Sequence, residues 1–427
     1  MKNQLATIVG KIIRLSISFR PNGGHALPGL IVDKLFPDYV FSMLKSLPEG
    51  VVFITGTNGK TTTTKILVEL LQANGKDVLT NSTGSNMVRG ISSSLIKNSS
   101  FLAKLPYELA VFEVDEASIR LLADKIKPRW VLALNVSRDQ LDRFGEVDAI
   151  TAHIAVAMQA ATEGVITNAD DPNLLKIGRE LAKNNHLDIC YFGAATSLKK
   201  YFPSDYDIAA VGVKKPGINL KQPDIYVELA KFEGQNVSFR FNNKITEAKL
   251  KLTGQHNFLN AAAALALAIK LLPRVETSEL ISDLRRVSIA FGRGETYRLR
   301  NGAEVELVLV KNPASFRQAM ASYASANNNL MIAINDNIAD SRDVSWLWDV
   351  DFTALKGKSV ALTSGTRASD MALRLSYDDI PVKVIETDLS LALSKLSKQP
   401  GPKVILATYT AMLNLFGVLT KTGEKIT

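Results

Sequence analysis

Cysteine is almost missing from this chain: Cys190 is the only one in 427 residues. That excludes disulfides within the chain and any zinc cluster built on cysteine. The setting Leu-Asp-Ile-Cys-Tyr-Phe reads as a strand, where a lone thiol is core filler rather than a nucleophile. Long apolar runs are missing too, since no uncharged run of wholly apolar residues approaches the roughly 18 residues of a membrane span. Residues 5–19 are largely apolar, but Lys11 and Arg14 interrupt them and no small-residue cleavage site follows. This argues against a signal peptide and for a cytoplasmic protein. Two readings of that stretch stay open, a helix packed on the body and an amphipathic helix at the inner face of a membrane. An RNA-binding aromatic signature, a zinc finger and a concentrated basic run are all lacking, so no nucleic-acid partner is expected.

What is present is ordinary for a globular protein: 46% hydrophobic and 22% charged residues, enough chain for two or three domains. The net charge of +9 favours anionic partners, such as a nucleotide, a lipid pyrophosphate or a membrane surface.

The most informative stretch is Val-Val-Phe-Ile-Thr-Gly-Thr-Asn-Gly-Lys-Thr-Thr-Thr, residues 51–63. An apolar, β-branched strand runs into a turn bracketed by Gly56 and Gly59, and Lys60-Thr61 opens a helix continuing through Ile66, Leu67, Leu70 and Leu71. Glycines let backbone N–H groups close around phosphate oxygens at a helix N-terminus. Gly56, Thr57, Asn58, Gly59, Lys60, Thr61 and Thr62 therefore form a candidate ATP site, with Lys60 on the β- and γ-phosphates and the Thr61 hydroxyl on Mg²⁺. The spacing Gly-x-x-Gly-Lys-Thr is two residues shorter than the general phosphate loop.

From residue 51 to about 193, strands at 51–55, 78–80, 108–114, 130–135, 164–167 and 188–192 alternate with helical patterns. This predicts an α/β domain with a mostly parallel sheet and ligands at the carboxyl ends of its strands. Residues 194–224 read as a surface insertion, and 225–251 as hairpin strands around Phe241-Asn242-Asn243-Lys244. Helices follow at 257–272 and near 277–287, then a turn at Phe291-Gly292-Arg293-Gly294-Glu295. A second α/β pattern has strands near 305–310, 329–334, 358–363, 382–386 and 402–407. The expected domains are a lead-in over 1–50, a central ATP-binding domain over 51–295 and a Rossmann-like C-terminal domain over 296–427.

Polar clusters fall at the predicted strand ends. Glu113 closes Leu-Ala-Val-Phe-Glu, where a carboxylate suits Mg²⁺, which prefers hard oxygens. Asn135, Arg138 to Arg143 with Asp139, and Asn168-Ala169-Asp170-Asp171-Pro172 follow later strands; singly, each suits a turn or a helix cap. Taken together in this order, with Gly254-Gln255-His256-Asn257, Asn260 and Gly292-Arg293-Gly294-Glu295, they resemble the central-domain signatures of the Mur ligase family. Within it the chain is most similar to the synthetase subunits of lipid II isoglutaminyl synthases, which work with a GatD-like glutaminase. Further features of that resemblance are Arg138 to Glu146, Lys311-Asn312-Pro313, Asp336-Asn337-Ile338-Ala339-Asp340, Asp343 to Asp349, Ser364-Gly365-Thr366-Arg367 and Tyr409-Thr410-Ala411-Met412.

The resemblance implies ATP- and Mg²⁺-dependent amidation, through an acyl phosphate, of the α-carboxylate of D-glutamate in the lipid II stem peptide. It also implies that Asn260 contacts the adenine, that Arg293 and Lys311 assist Lys60 at the phosphates, and that an acidic residue of the C-terminal domain completes the partner's Cys–His pair. Asp349 is the first candidate for that acid and Asp343 the second. Releasing ammonia from glutamine normally needs an activated Cys–His pair, and Cys190 lies in a strand, so ammonia must come free or from the partner. Two departures stand out. The zinc-ribbon cysteines of many such subunits are missing from 194–224, so no structural zinc is expected. Gln140 stands where amino-acid-adding ligases carry His, and no lysine lies between Arg143 and Gly164. The competing readings are an amino-acid-adding Mur or folylpolyglutamate-type ligase, a non-catalytic nucleotide-gated scaffold for a glutaminase, and a nucleic-acid-stimulated ATPase.

Overall fold

The computed structural model describes residues 1–18, 27–81, 87–137, 147–183, 186–202, 223–252, 254–287, 293–323 and 328–426. It divides the chain into two units. Met1–Val136, Val147–Lys251 and Asn257–Val287 make the first; Ser137–Glu146, Leu252–His256 and Ser288–Thr427 make the second.

The first unit begins with helices α1 (Lys2–Ser18), α2 (Leu27–Leu35) and α3 (Tyr39–Leu44). Strands and helices then alternate: β1 (Val51–Thr55), α4 (Lys60–Ala73), β2 (Val78–Thr80), α5 (Val88–Asn98), β3 (Leu109–Glu113), α6 (Glu116–Ile126) and β4 (Trp130–Ala133). After these come α7 (Val147–Gln159), β5 (Gly164–Asn168), α8 (Pro172–Lys183) and β6 (Asp188–Ala194). A meander of β7 (Ile225–Glu233), β8 (Asn236–Phe241) and β9 (Lys244–Lys249) precedes α9 (Gln255–Leu271) and α10 (Thr277–Asp283).

These strands form one sheet in the order β2-β3-β1-β4-β5-β6-β7-β8-β9, parallel as far as β7 and antiparallel beyond it. Every residue of β1, β3, β4 and β5 is buried, which explains their unbroken apolar runs: helices cover both faces of a parallel sheet. In the meander burial is only partial: β7 buries Val227 and Leu229 in alternation, whereas β8 buries Val237, Ser238 and Phe239 in succession. The β8–β9 turn holds Asn242 and Asn243 at φ 46° and 62°, a left-handed pair that asparagine tolerates well.

The second unit contains β10 (Arg293–Leu299), β11 (Glu304–Leu309), α11 (Pro313–Tyr323), β12 (Asn329–Ala333), β13 (Val360–Ser364) and α12 (Ala368–Ser376). It continues with β14 (Val382–Glu386), α13 (Leu389–Ser397), β15 (Lys403–Ala407), α14 (Tyr409–Thr422) and β16 (Gly423–Lys425). Its sheet runs β14-β13-β12-β15-β11-β10-β16, with β14 through β11 parallel and β10 and β16 antiparallel. Two apolar clusters form its core, one including Phe316, Trp346 and Phe352, the other Tyr297, Met331 and Leu415.

One expectation is corrected here. The sequence suggested a turn through 291–295, whereas the chain is already a strand from Arg293. Glu295 disguised it, because this carboxylate is buried. Its oxygens accept from the Tyr297 hydroxyl at 2.7 Å and pair with Lys425 Nζ at 2.7 Å.

Candidate active site

The site is assembled where the strand order of the first sheet reverses. From β1 the chain moves outward to β2, returns to β3 beside β1, and then crosses to β4 on the other side of β1. Such a switch point leaves a crevice at the carboxyl ends of the strands. Gly56 and Gly59 leave β1 with φ of 128° and 89°, which side-chain-bearing residues rarely adopt. A Cβ on Gly56 would lie 2.9 Å from the backbone N and O of Asn135, and one on Gly59 would lie 2.5 Å from Asn260 Oδ1. Glycine is therefore required twice, for its φ and for close approach.

Asn135, just past β4, holds this loop in shape. Its Oδ1 accepts from the Asn58 backbone N–H at 2.8 Å, its Nδ2 donates to the Asn58 carbonyl at 2.9 Å, and its own carbonyl accepts from the Thr57 N–H at 2.9 Å. Thr63 N–H then donates to the Gly59 carbonyl at 2.9 Å, so α4 starts directly behind the loop with its amide end and dipole facing the anion position.

Two charged arrangements follow. The Thr61 hydroxyl donates to Glu113 Oε2 at 2.6 Å, which brings together the two oxygens expected to face Mg²⁺. Asn81 fixes the end of β3, accepting from the Glu113 N–H at 3.1 Å and donating to its carbonyl at 2.9 Å. Lys60 Nζ, nearly buried, donates to the Gly56 carbonyl at 2.6 Å and pairs with Glu116 Oε1 at 2.7 Å. Sequence reasoning missed Glu116 and Asn81. The run Glu113-Val-Asp-Glu116 was a signal for the first, because a second carboxylate three residues past a strand end reaches the same crevice.

A hydroxyl and a carboxylate are hard oxygen donors that fit Mg²⁺. Among the described residues no three His, Cys, Asp or Glu side chains gather into a metal cage. Mg²⁺ suits a sparse donor set, because it is usually held by one or two carboxylates plus waters and substrate phosphates. When bound, it would neutralise charge on phosphoryl oxygens.

The other expected residues divide. Asn260 lies beside Gly59 and donates to Asn257 Oδ1 at 3.3 Å. Asn168 and Asp171 brace the loop after β4: Asn168 Nδ2 donates to the Leu134 carbonyl at 2.9 Å, and Asp171 Oδ2 accepts from the Val136 N–H at 2.7 Å. Asp171 Oδ1 also caps α8, accepting from Leu174 N–H at 3.1 Å. Arg138 to Glu146, including Asp139, and most of the 194–224 insertion lie outside the described residues, as does the Arg293 side chain. The Cys190 thiol is pushed up to about 11, first by burial and then by the charge of Asp188, so it is a poor nucleophile at neutral pH.

In the second unit, Lys311 follows β11, and its backbone N–H donates to Ser315 Oγ at 2.9 Å. Asp343 Oδ1 accepts from the Ser345 N–H at 2.8 Å, an Asx-type turn leading into the short 3₁₀ turn Ser345–Asp349. Asp349 ends that turn and is exposed. Beside it Trp346 enters the core while Trp348 stays 51% exposed, with its ring edge-on to Tyr377 at 5.0 Å. Arg374 underpins the turn, donating to the carbonyls of Leu347 at 3.1 Å and Val350 at 2.9 Å, and is itself paired with Asp378 at 2.8 Å.

The Mur ligase middle domain matches residues 54–268 and the MurT ligase C-terminal domain matches 309–412. A lipid II isoglutaminyl synthase (glutamine-hydrolyzing) subunit MurT of Streptococcus pneumoniae is 32% identical, over 97% of this chain and 96% of the relative. The chain belongs to the Mur ligase family, in its MurT branch. A MurT of Staphylococcus aureus is 28% identical over 99% of both chains. The fold is shared with MurF from Acinetobacter baumannii, at TM-score 0.66 and 20% identity over 92% of this chain and 80% of that one. It is shared as well with a Mycobacterium tuberculosis folylpolyglutamate synthase, at TM-score 0.62 and 13% identity over 97% and 98%. The MurT C-terminal match encloses Lys311, Asp343 and Asp349, and the middle-domain match encloses the phosphate loop, Glu113 and Asn260.

Proposed function

We propose that this MurT-branch protein is the ATP-dependent synthetase subunit that amidates the stem peptide of lipid II. The observation that carries the reading is the meeting of Lys60 with the phosphate loop and of Thr61 with Glu113, in a chain alike to MurT proteins almost end to end. ATP transfers its γ-phosphoryl group to the α-carboxylate of D-glutamate. Ammonia attacks the resulting acyl phosphate, and D-isoglutamine, ADP and phosphate leave.

The α4 amides and Lys60 bind the β- and γ-phosphates; Thr61 and Glu113 hold Mg²⁺. Catalysis rests on neutralising phosphoryl charge and aligning the carboxylate. Asn260 is assigned to the adenine, and Arg293 and Lys311 to the phosphates. Because the only thiol is buried and hard to ionise, ammonia comes free or from a partner; by likeness to MurT subunits its supply is assigned to a GatD-like glutaminase, whose Cys–His pair Asp349, or else Asp343, completes. The acceptor is lipid-linked, so the complex works at the inner face of the membrane.

The test is to incubate the purified chain with lipid II, ATP, Mg²⁺ and ammonium, with and without the glutaminase, and to measure ADP and acceptor mass. Amidation appears as an ATP-dependent loss of about one mass unit, from replacement of OH by NH₂, and disappears in Lys60→Ala. Glutamine should replace ammonium only with the glutaminase present. A gain of a whole amino acid would instead identify an amino-acid-adding ligase, and partner binding without ADP release a scaffold.

A further inference from the structure

Large aliphatic residues ordinarily turn inward on a surface helix, and small or polar ones turn outward. The helix α1 does the reverse. Its inner face is Ala6, Thr7 and Gly10, all buried. A Cβ on Gly10 would lie 2.8 Å from Ile96 of α5, and Thr7 Oγ1 lies 2.9 Å from the Tyr39 hydroxyl of α3. The outer face is Leu5, Ile8, Ile12 and Leu15, spaced three and four apart on one stripe and 55%, 38%, 57% and 62% exposed. Its neighbour α2 follows the pattern in part, burying Pro28 and Val32 beside Gly29. Gly29 sits inside, its N–H donating to Ser93 Oγ at 3.0 Å, while Leu27 and Leu30 face out. The turn after α5 adds exposed Phe101 and Leu102. Lys11 Nζ lies 5.2 Å from the Phe101 ring, joining that turn to α1.

Apart from the half-buried Asp33 of α2, the charge around this face is positive. Lys2, Lys11 and Arg14 lie on α1, Lys34 on α2 and Lys104 beside the turn, and the first 32 residues contain no Asp or Glu. An aliphatic stripe rimmed by long cationic side chains matches a bilayer surface: the stripe enters the acyl boundary, and the ammonium and guanidinium groups reach back to lipid phosphates. We propose that the outer faces of α1 and α2, with the turn at 100–103, form a membrane-docking surface specific for anionic lipid. This gives the ligase reading a physical place of work but does not depend on it, because binding is measured without the reaction.

The experiment is flotation of the full-length chain with vesicles of phosphatidylcholine alone or mixed with phosphatidylglycerol. The wild type should float with the anionic vesicles, weakly with the neutral ones, and less as salt rises. Leu5→Ser/Ile12→Ser/Leu15→Ser should lower partitioning at least about tenfold with an unchanged thermal midpoint, since the side chains removed are exposed. Lys11→Gln/Arg14→Gln should cost about fivefold per charge on anionic vesicles alone, and it keeps the proposal testable should the serine variant fold poorly. Failure of the wild type to float, or flotation of the variants equal to that of the wild type, would overturn the proposal. So would a concentration-dependent dimer in sedimentation that the serine substitutions dissolve, because the face would then belong to a second copy. None of these outcomes bears on amidation of the acceptor in detergent solution, which tests the ligase reading separately.

Discussion

Lys60 Nζ and Glu116 Oε1 lie 2.7 Å apart, both nearly buried, at the mouth of the phosphate loop. A buried ammonium without a counter-charge is costly, and Glu116 supplies that counter-charge to Lys60; on the proposed reading a nucleotide phosphate would share it. Glu116→Gln should therefore destabilise the nucleotide-free protein by about 3 kcal/mol. ATP with Mg²⁺ should restore much of that loss, because phosphate oxygens replace the missing charge. Thermal unfolding with and without nucleotide checks this: the ATP-induced rise in Tm should be larger in the variant than in the wild type. An equal rise would show that Glu116 has no bearing on Lys60.

Thr61 and Glu113 should be separable from nucleotide affinity. Glu113→Gln keeps the strand end and the hydrogen-bonding shape but removes the charge that suits Mg²⁺. Turnover should fall about a hundredfold or more, and the Mg²⁺ concentration at half-maximal rate should rise. ATP binding measured in the presence of EDTA should change little. Isothermal titration alongside ADP release distinguishes the two effects.

The Asn135 side chain bonds the backbone of the loop at Asn58, so its removal should act through loop shape. Asn135→Ala leaves the Asn58 N–H and carbonyl without the partners seen at 2.8 and 2.9 Å. The loss expected is about 1–3 kcal/mol, which carried into ATP binding is roughly 5- to 150-fold in its Kd. Asn135→Asp should do almost as badly, since a carboxylate accepts from the Asn58 N–H but repels its carbonyl.

The phosphate loop could be read from sequence because its chemistry is local. Glycines, lysine and threonine at fixed spacing between a strand and a helix specify the backbone conformation that is seen at Gly56 and Gly59. The central strands were equally plain, since both faces are covered and no polar residue breaks their runs. What could not be read was anything decided by a partner distant in the chain. Glu295 looked like a turn residue until Lys425, 130 positions away, turned out to neutralise it inside β10. Asn81 gave no sign of pinning the end of β3. Asp349 was ranked above Asp343 without a view of their surroundings, and only the fold shows that Asp343 accepts from the Ser345 N–H while Asp349 ends the turn exposed. The outward stripe of α1 was visible as apolar residues, but which face it occupied depended on how tightly Gly10 meets Ile96.

Cys190 gives a pH prediction with a definite sign. In the folded chain burial, and then Asp188, push its thiol from near 9 to about 11. The native state thus keeps a proton that the unfolded chain loses. This contribution to stability is complete below about pH 9 and disappears as pH rises towards 11. Denaturant midpoints across that window should fall more steeply for the wild type than for Cys190→Val. Native protein at pH 8 should also react with iodoacetamide far more slowly than unfolded protein.

Asp349 and Arg374 provide the last test, since they bear on ammonia supply and not on ATP. Arg374 fixes the 3₁₀ turn that presents Asp349 by holding the carbonyls of Leu347 and Val350, on the two sides of Trp348 and Asp349. If Asp349 completes the partner's Cys–His pair, Asp349→Asn should remove glutamine-dependent amidation and leave ammonium-dependent amidation intact. Arg374→Met should give the same split in milder form, because it loosens the turn without altering the carboxylate. Asp343→Asn should have a small effect, since an amide oxygen can still accept from the Ser345 N–H. The measurement is the ratio of amidation rates with glutamine and with ammonium, in the reconstituted complex, for each variant. Equal loss of both activities in Asp349→Asn would place that residue in the structure of the second unit and not in the partner's chemistry. Loss confined to glutamine in Asp343→Asn, but not in Asp349→Asn, would transfer the role to Asp343.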